Sequence, residues 1–540
     1  MKNRMKKASL CMAIGTAMAL AASLPALAHG SAPGWAATAT HAVQLAPGAV
    51  NHGPAAPDTP LRISVVLKVN NKDLLHQVLA SRANPRSAIT MSAQDVVDVF
   101  SPSDDEVQAV VDYLDDAGFT NIHVSSNRLV ISADGNAAAA AAAFNTRLAS
   151  VTTAHGRSAY ANTDDVHVPA GLAGSVLSVL GLQTVHHAHT MGNGHGGGHG
   201  GGGGGSTGGV VTGHYPQEFQ AIYNVGSTPT ASSVTVGIIS DGDMTQPLID
   251  LHTFTSSHGL PDVNTAVVYP GARGSDTSGT AEWDLDSQNI VGMSGGVAKL
   301  IFYAATSLTN SDLTQAFNKV VSDNQAQVIN VSLGECETYA YQDGSMAADD
   351  QILALAVAQG QTFSISTGDS GSNECGKGGP HATTPSYPAS SPYVIAVSGT
   401  TLSTDSSGNW YGETLWADAG GSPSTVEPKP DWQTLGDNHR DVADVAFDAD
   451  PYSGSIIVVN GGLAQYGGTS LSAPLFAATW ARMLAAHPGL GFAGPYLYNV
   501  STGVYHDITS GSNGGETATA GWDYASGFGS IDVSALNASL

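Results

Sequence analysis

The stretch Gly467-Gly468-Thr469-Ser470-Leu471-Ser472-Ala473-Pro474, with the apolar run 475–483 behind it, decides how the rest of the chain is read. Two glycines permit a tight turn, and Thr469-Ser470 then opens a helix that is apolar on nearly every face and therefore buried. Pro474 is expected near the first turn, where a missing N–H costs least. A serine there lies among unpaired backbone N–H groups at the positive end of the helix dipole, a setting that favours a nucleophile and an oxyanion. An ordinary N-cap is the plainer account of Ser470. The remaining sequence has to discriminate.

At 540 residues the chain exceeds one ordinary core, and two or three units are expected. Asp and Glu number 45 against 19 Lys and Arg, a formal net charge of -26 that argues against nucleic acid or an anionic membrane as partner. Such a surface loses its self-repulsion as carboxylates protonate, so it suits an acid medium. Residues 1–28 read as a secretory signal: Lys2, Arg4, Lys6 and Lys7, an apolar stretch, then Ala26-Leu27-Ala28 as a small-residue cleavage site. Cys11 leaves with it. Cys336 and Cys375 remain, an even pair in an exported chain, for which one disulfide is the default over two free thiols. No later apolar run has the length to span a bilayer. An exported, soluble, monomeric protein is expected.

Residues 29–185 are expected to form a small α+β unit. A strand covers 61–69, a helix 71–81, and 95–100 is either extended or a short helix. Ser101-Pro102-Ser103 caps a helix with Val107, Val110, Val111 and Leu114 on its apolar face and Gly118 at its stop. Strands over 121–126 and 128–132 and an alanine-rich helix over 136–148 follow, an order that fits a ferredoxin-like split-βαβ layer. Residues 186–209 are almost entirely Gly and His, a flexible, exposed linker within reach of proteases. His186, His187, His189, His195 and His199 could bind a transition metal, although so much glycine offers no fixed ligand geometry. Over 210–540 short apolar runs (234–240, 266–269, 298–304, 328–333, 362–366, 393–397) alternate with helical segments such as 312–323 and 346–359. This pattern predicts an α/β unit with a doubly wound parallel sheet and a site at the carboxyl ends of its strands. A folded unit, a cleavable linker and a larger unit behind a signal together suggest a proprotein.

Three strand ends carry candidate chemistry. In Gly279-Thr280-Ala281-Glu282-Trp283-Asp284-Leu285-Asp286, Glu282 and Asp286 share one helix face with no Lys or Arg within a turn to relieve their repulsion. They complement a helix dipole, or Glu282 is a general base sharing a proton with Asp286. Ser366-Thr367-Gly368-Asp369-Ser370-Gly371 contains the Gly-Asp-Ser-Gly string of chymotrypsin-like proteases, which are all-β and do not fit this α/β region. Asp369 is either a turn residue or a protonated carboxyl that donates to an oxyanion. Ser470 is the third. A Ser/His/Asp triad would need a histidine opening a helix in mid-domain, but His258 precedes Gly-Leu-Pro and Glu282 stands in the expected place.

With these motifs in this order the chain resembles the sedolisin family of serine-carboxyl peptidases over its whole length after the signal. The resemblance implies a subtilisin-like fold, Ser470 as nucleophile, Glu282 as general base and acid, Asp286 supporting Glu282, and Asp369 in the oxyanion hole. It further implies a pro-domain that assists folding and inhibits, self-cleavage in acid, protein or peptide substrates, and a Cys336–Cys375 bridge like that of pseudomonalisin-type members. The segments at 506–511 and 521–523 resemble the family's single Ca2+ site, with Asp507 and Asp523 as carboxylates and Ile508, Thr519 and Gly521 as carbonyl ligands. The family's Gly-x-Gly-x-Asp reads here Thr519-Ala520-Gly521-Trp522-Asp523, and a Gly-rich surface turn is the alternative. The competing function is a secreted metal-binding protein on a degenerate protease scaffold.

Overall fold

Side-chain caps start three of the helices of the N-terminal unit, those that follow Ser92, Ser103 and Asn136. Strand β1 (Pro60–Leu67) leads to α1 (Lys72–Arg82), then α2 (Ala93–Phe100) and α3 (Asp104–Asp116). Ser92 and Ser103 each accept from the backbone N–H three residues on, while Asp95 and Glu106 reach back, so both helices start in full capping boxes. The 95–100 segment is therefore helical. After β2 (Thr120–Val124) and β3 (Val130–Asn136), the alanine-rich helix α4 covers only Ala137–Ala143. Asn145 adopts φ 43 and ends it, and Leu148, the last residue expected in the helix, instead opens a strand over Leu148–Thr152. With β4 (Val176–Leu180), the sheet order is β2-β3-β1-β4, antiparallel throughout, the ferredoxin-like arrangement.

The computed structural model describes residues 34–84, 90–194, 209–376 and 383–540, so the expected signal, Cys11, His195 and His199 lie outside the described residues. Residues from Ala36 to Leu540 make one compact unit. Among the described residues no helix is long and apolar enough to cross a membrane.

The linker expected to be exposed begins differently. Its first part supplies two short strands, β5 (His189–Thr190) and β6 (Asn193–Gly194), and Ala188 and Met191 are buried. These strands find partners in the larger unit.

That unit runs β7 (Thr235–Asp241), α5 (Thr245–His258), β8 (Thr265–Val268), α6 (Thr280–Ser294), β9 (Lys299–Ala305), α7 (Asn310–Asp323) and β10 (Val328–Val331). It continues with β11 (Leu333–Cys336), α8 (Ser345–Gln359), β12 (Thr362–Ser366), β13 (Ile395–Thr404), β14 (Trp410–Leu415) and β15 (Val445–Asp448). A hairpin of β16 (Ser455–Val459) and β17 (Gly462–Gly467) precedes α9 (Thr469–Ala486). The central sheet reads β8-β9-β7-β10-β12-β13-β14, parallel except for the β13–β14 pair, with β15 parallel beside β13. Strand order reverses at β7, and ligands in such sheets bind beyond the carboxyl ends near that reversal. The 328–333 run splits at Ser332 because the chain leaves the central sheet there to form β11.

The face of β1 and its neighbours packs on α7 and α8. Ser311 donates to Ser64 (2.9 Å), Gln351 bonds both Leu67 O and Val69 N (2.8 Å each), and Asn127 and Asn318 exchange amide bonds at 2.7 and 3.0 Å. Val66, Val69 and Phe100 join the apolar core of the larger unit. The opposite face of β1, with Ile63, Val65 and Leu67, packs with Val107, Val110 and Leu114 in a separate core of the N-terminal unit.

Candidate active site

Helix α9 begins where the chain turns at Gly468 with φ 100, a conformation that L side chains rarely adopt. Thr469, Ser470 and every residue to Met483 are buried. Pro474 lies six residues into the helix, later than the first turn expected, so it removes the N–H that would have bonded the Ser470 carbonyl.

Helix α6 starts at Gly279 and brings Glu282 and Asp286 to the same place, 5% and 0% exposed. The Ser470 hydroxyl donates to Ser332 O at 3.4 Å and lies beside the Glu282 carboxyl, whose charged form it favours. Ser332, the residue just past β10, donates to Asp286 Oδ1 at 2.6 Å and accepts from Asn330 at 3.0 Å. Burial, then the neighbouring Asp286 charge, pushes the Glu282 carboxyl well above the ordinary range, against its contact with Ser470. Burial likewise raises Asp286, against polar contacts with Ser332 and Asn330. Glu282 Oε1 and Asp286 Oδ2 accept no well-formed hydrogen bond from the described residues. Two buried acids one turn apart, each with an orphaned oxygen, meet the physical condition for holding a proton between them.

Asp369 enters from the end of β12. Its Oδ1 accepts from Thr469 N and Thr469 Oγ1 at 2.8 Å each, which fixes it against the start of α9. A Cβ on Gly468 would crowd Asp369 Oδ2 at 2.6 Å and overlap the Met191 carbonyl oxygen. All four residues singled out in the sequence, Glu282, Asp286, Asp369 and Ser470, therefore converge.

Residues without a sequence signal complete the site. Ser332 and Asn330 act only through the sheet register that places them beside α6. Strand β5 pairs antiparallel with β11 and β6 with β17, so the chain's own Met191-Gly192 lies between the two pairings, against Glu282 and Gly468. Cys336 and Cys375 are joined in a disulfide, Cα–Cα 4.7 Å, which ties the end of β11 to the loop after β12.

The loop cluster at the C-terminus is separate. Gly521 N donates to Asp507 Oδ2 (2.9 Å) and Thr519 N to Asp523 Oδ2 (2.7 Å), so both carboxylates hold one loop. The carbonyls of Ile508, Thr519 and Gly521 accept no backbone hydrogen bond from the described residues. Two carboxylates from neighbouring segments and three carbonyls free of backbone hydrogen bonds are oxygen donors of the kind a hard cation takes, with Asp523 also accepting from Ala525 N, Ser526 N and Ser526 Oγ. By contrast the linker histidines diverge: His186 stacks on Tyr339, His187 bonds the Ala188 carbonyl and His189 meets Glu374.

A serine at the head of a buried helix, buried carboxyls beside it and a parallel sheet below are an arrangement that fits a subtilisin-like serine peptidase. Residues 47–185 match the family described as Pro-kumamolisin, activation domain, and residues 232–502 match the subtilase family. Sedolisin from Pseudomonas sp. (strain 101) is 42% identical across 99% of this chain and 97% of its own length. Xanthomonalisin from Xanthomonas sp. (strain T-22) is 41% identical across 89% of this chain and 65% of its own. The solved Pseudomonas sedolisin (serine-carboxyl proteinase), complexed with two molecules of pseudo-iodotyrostatin, is 45% identical, covers 61% of this chain and 98% of its own, and superposes with a TM-score of 0.60. The chain belongs to the sedolisin family of serine-carboxyl peptidases and carries that family's pro-domain.

Proposed function

We propose that this chain is an exported, acid-acting endopeptidase made as a self-processed proenzyme, with 29–185 as pro-domain and intramolecular inhibitor, 186–209 as the cleaved linker and 210–540 as the catalytic domain. Ser470 is the nucleophile. Glu282, its proton distribution set by the positioning residue Asp286, takes the hydroxyl proton as Ser470 Oγ attacks a peptide carbonyl. The oxyanion is held by the Ser470 N–H and a protonated Asp369. Glu282 then protonates the leaving amine, and water resolves the acyl-enzyme. The observation that carries this reading is the Ser470 hydroxyl beside a buried carboxyl whose neighbour one turn away is a second buried carboxyl. The working form is the singly ionised pair, whose shared proton burial retains, together with a protonated Asp369, and activity falls toward neutrality as Asp369 loses its proton and can no longer donate to the oxyanion.

Asp507, Asp523 and the carbonyls of Ile508, Thr519 and Gly521 would hold one Ca2+, which when bound supplies charge to brace the C-terminal loops and takes no part in the chemistry. The test is hydrolysis of a denatured protein from pH 3 to 8, with Ser470→Ala as control. A maximum in acid that vanishes in the variant supports the reading. A maximum above neutrality overturns it.

A further inference from the structure

The first residues of the Gly/His linker are seated in the cleft as a substrate would be. Thr190 pairs with Leu333 and His189 with Gly334, antiparallel, while Asn193 pairs with Gly467 and Gly194 with Tyr466. Such strand addition fixes register through the backbone and leaves selectivity to side-chain pockets. Met191 N donates to Ser332 O at 3.3 Å. The Met191 carbonyl oxygen abuts Gly468, on the side where Asp369 Oδ2 lies. The next N–H, that of Gly192, is directed at the Glu282 carboxylate, which also meets the Ser470 hydroxyl. One peptide bond thus has its carbonyl oxygen at the oxyanion groups and its nitrogen at the general acid. The Met191 side chain is 2% exposed, with its methyl 3.1 Å from where a Cβ on Gly334 would stand, so a bulkier residue than glycine there would narrow this pocket.

Two residues upstream, His189 Nε2 lies 3.0 Å from Glu374 Oε1. The Glu374 side chain is 2% exposed, and among the described residues neither of its oxygens accepts a well-formed hydrogen bond, so the approach of His189 is its one ion-pair contact there. The neighbouring Cys375 is bridged to Cys336 at the end of β11, so the carboxylate is anchored beside the strand that the segment joins. A buried carboxylate that meets, among the described residues, a cationic group only on the docked segment is costly unless that cation arrives.

We propose that Met191–Gly192 is the bond cut first in maturation, and that Glu374 selects a cationic side chain at the His189 position of this and other substrates. The proposal rests on the peptidase reading of Ser470 and Glu282. Ser470 Oγ adds to the Met191 carbonyl carbon as its proton passes to Glu282. The C–N bond breaks as that proton reaches Gly192 N, and water then releases Met191 as a carboxylate and restores Ser470. Contact with Glu374 raises the His189 pKa, which keeps its ring charged in acid.

The experiment shifts full-length protein from neutral to acid pH and reads the earliest fragments by intact mass and N-terminal sequencing, with Ser470→Ala alongside. Gly192 as the first new N-terminus supports the proposal. An earliest cut elsewhere in active protein overturns the bond assignment and leaves the peptidase reading standing, whereas self-cleavage by Ser470→Ala overturns that reading. For the subsite, mature enzyme is given a peptide of the 188–194 sequence and its counterpart with leucine in place of His189. The histidine peptide is expected to have a kcat/KM about tenfold higher or more in acid, as a charge-assisted bond requires, and Glu374→Gln to remove the difference. Equal values for the wild-type enzyme overturn the role of Glu374, whether or not the variant folds.

Discussion

Ser332 Oγ donates a 2.6 Å hydrogen bond to Asp286 Oδ1, joining the end of a sheet strand to the second acid of α6. The same residue's carbonyl accepts from Met191 N, so one position both orients the acid pair and receives the docked backbone. Ser332→Ala keeps the carbonyl and loses the donor. Because that contact lowers the Asp286 pKa, its loss makes the pair hold its proton more tightly. The expected result is a kcat about tenfold lower, from one charge-assisted bond, with KM little changed and the limb of the pH profile set by the pair moved upward. Steady-state kinetics across pH on one peptide checks this, and an unshifted profile would leave Ser332 only a structural place.

Glu282→Gln should be as damaging as Ser470→Ala, because members of one catalytic unit are non-additive. Both full-length variants are expected to remain unprocessed in acid, read on a gel as a single band of 54.8 kDa or that mass less the signal. Near-normal processing of Glu282→Gln would return Glu282 to the role of an acid that complements a helix dipole.

Most of the framework was legible from local pattern. Alternating short apolar runs and helices marked the strands from β7 to β13, and the acids at an i, i+4 spacing marked α6. What escaped depends on contacts far apart in sequence. Nothing around Glu374 distinguishes it from a surface acid until the cleft and its disulfide are formed. Ser332 matters only because the chain leaves the sheet there. Gly and His composition indicated an exposed linker, yet backbone pairing needs no particular side chains, so β11 and β17 capture its first residues. The overlong alanine helix has a simpler cause: alanine favours continuation, and only the left-handed Asn145 stops it.

Buried acid pairs outside the site bear on stability. Asp284 on α6 is pushed up to about 9 by burial and then by facing Asp250, which already accepts the Asn460 and Gly461 N–H groups at 2.8 Å. Glu427 is pushed up to about 10 by burial and then by Asp350. A carboxyl whose folded pKa is raised holds a proton that the unfolded chain has released, so stability falls as pH rises from about 4 through 9. Urea unfolding of the full-length Ser470→Ala protein is expected to give a higher midpoint at pH 4 than at pH 8. Asp284→Asn should shrink that difference. A variant with an unchanged pH slope would show that Asp284 does not carry it.

Calcium gives a separate handle. If Asp507 and Asp523 hold the ion, chelation lowers the melting temperature of the mature enzyme, and added Ca2+ restores it in proportion to the logarithm of its concentration. Asp507→Ala should melt lower from the outset and ignore the chelator, because its Gly521 contact is also lost. A melting curve indifferent to chelation in the wild type would reduce the loop to a surface turn.

The Cys336–Cys375 bridge closes a sequence separation of 39 residues and pins the loop bearing Glu374 to the end of β11. Its removal should therefore act twice. By chain entropy alone, Cys336→Ser/Cys375→Ser is expected to cost about 2–4 kcal/mol in denaturant unfolding. The second effect is on selectivity: once Glu374 is free to move, the preference for a cation two residues upstream of the cut should weaken while hydrolysis of the leucine peptide persists. Comparing kcat/KM for both peptides in the double variant, at a temperature where it stays folded, separates the two effects. Full retention of the preference would show that β11 and its neighbours hold Glu374 without the bridge.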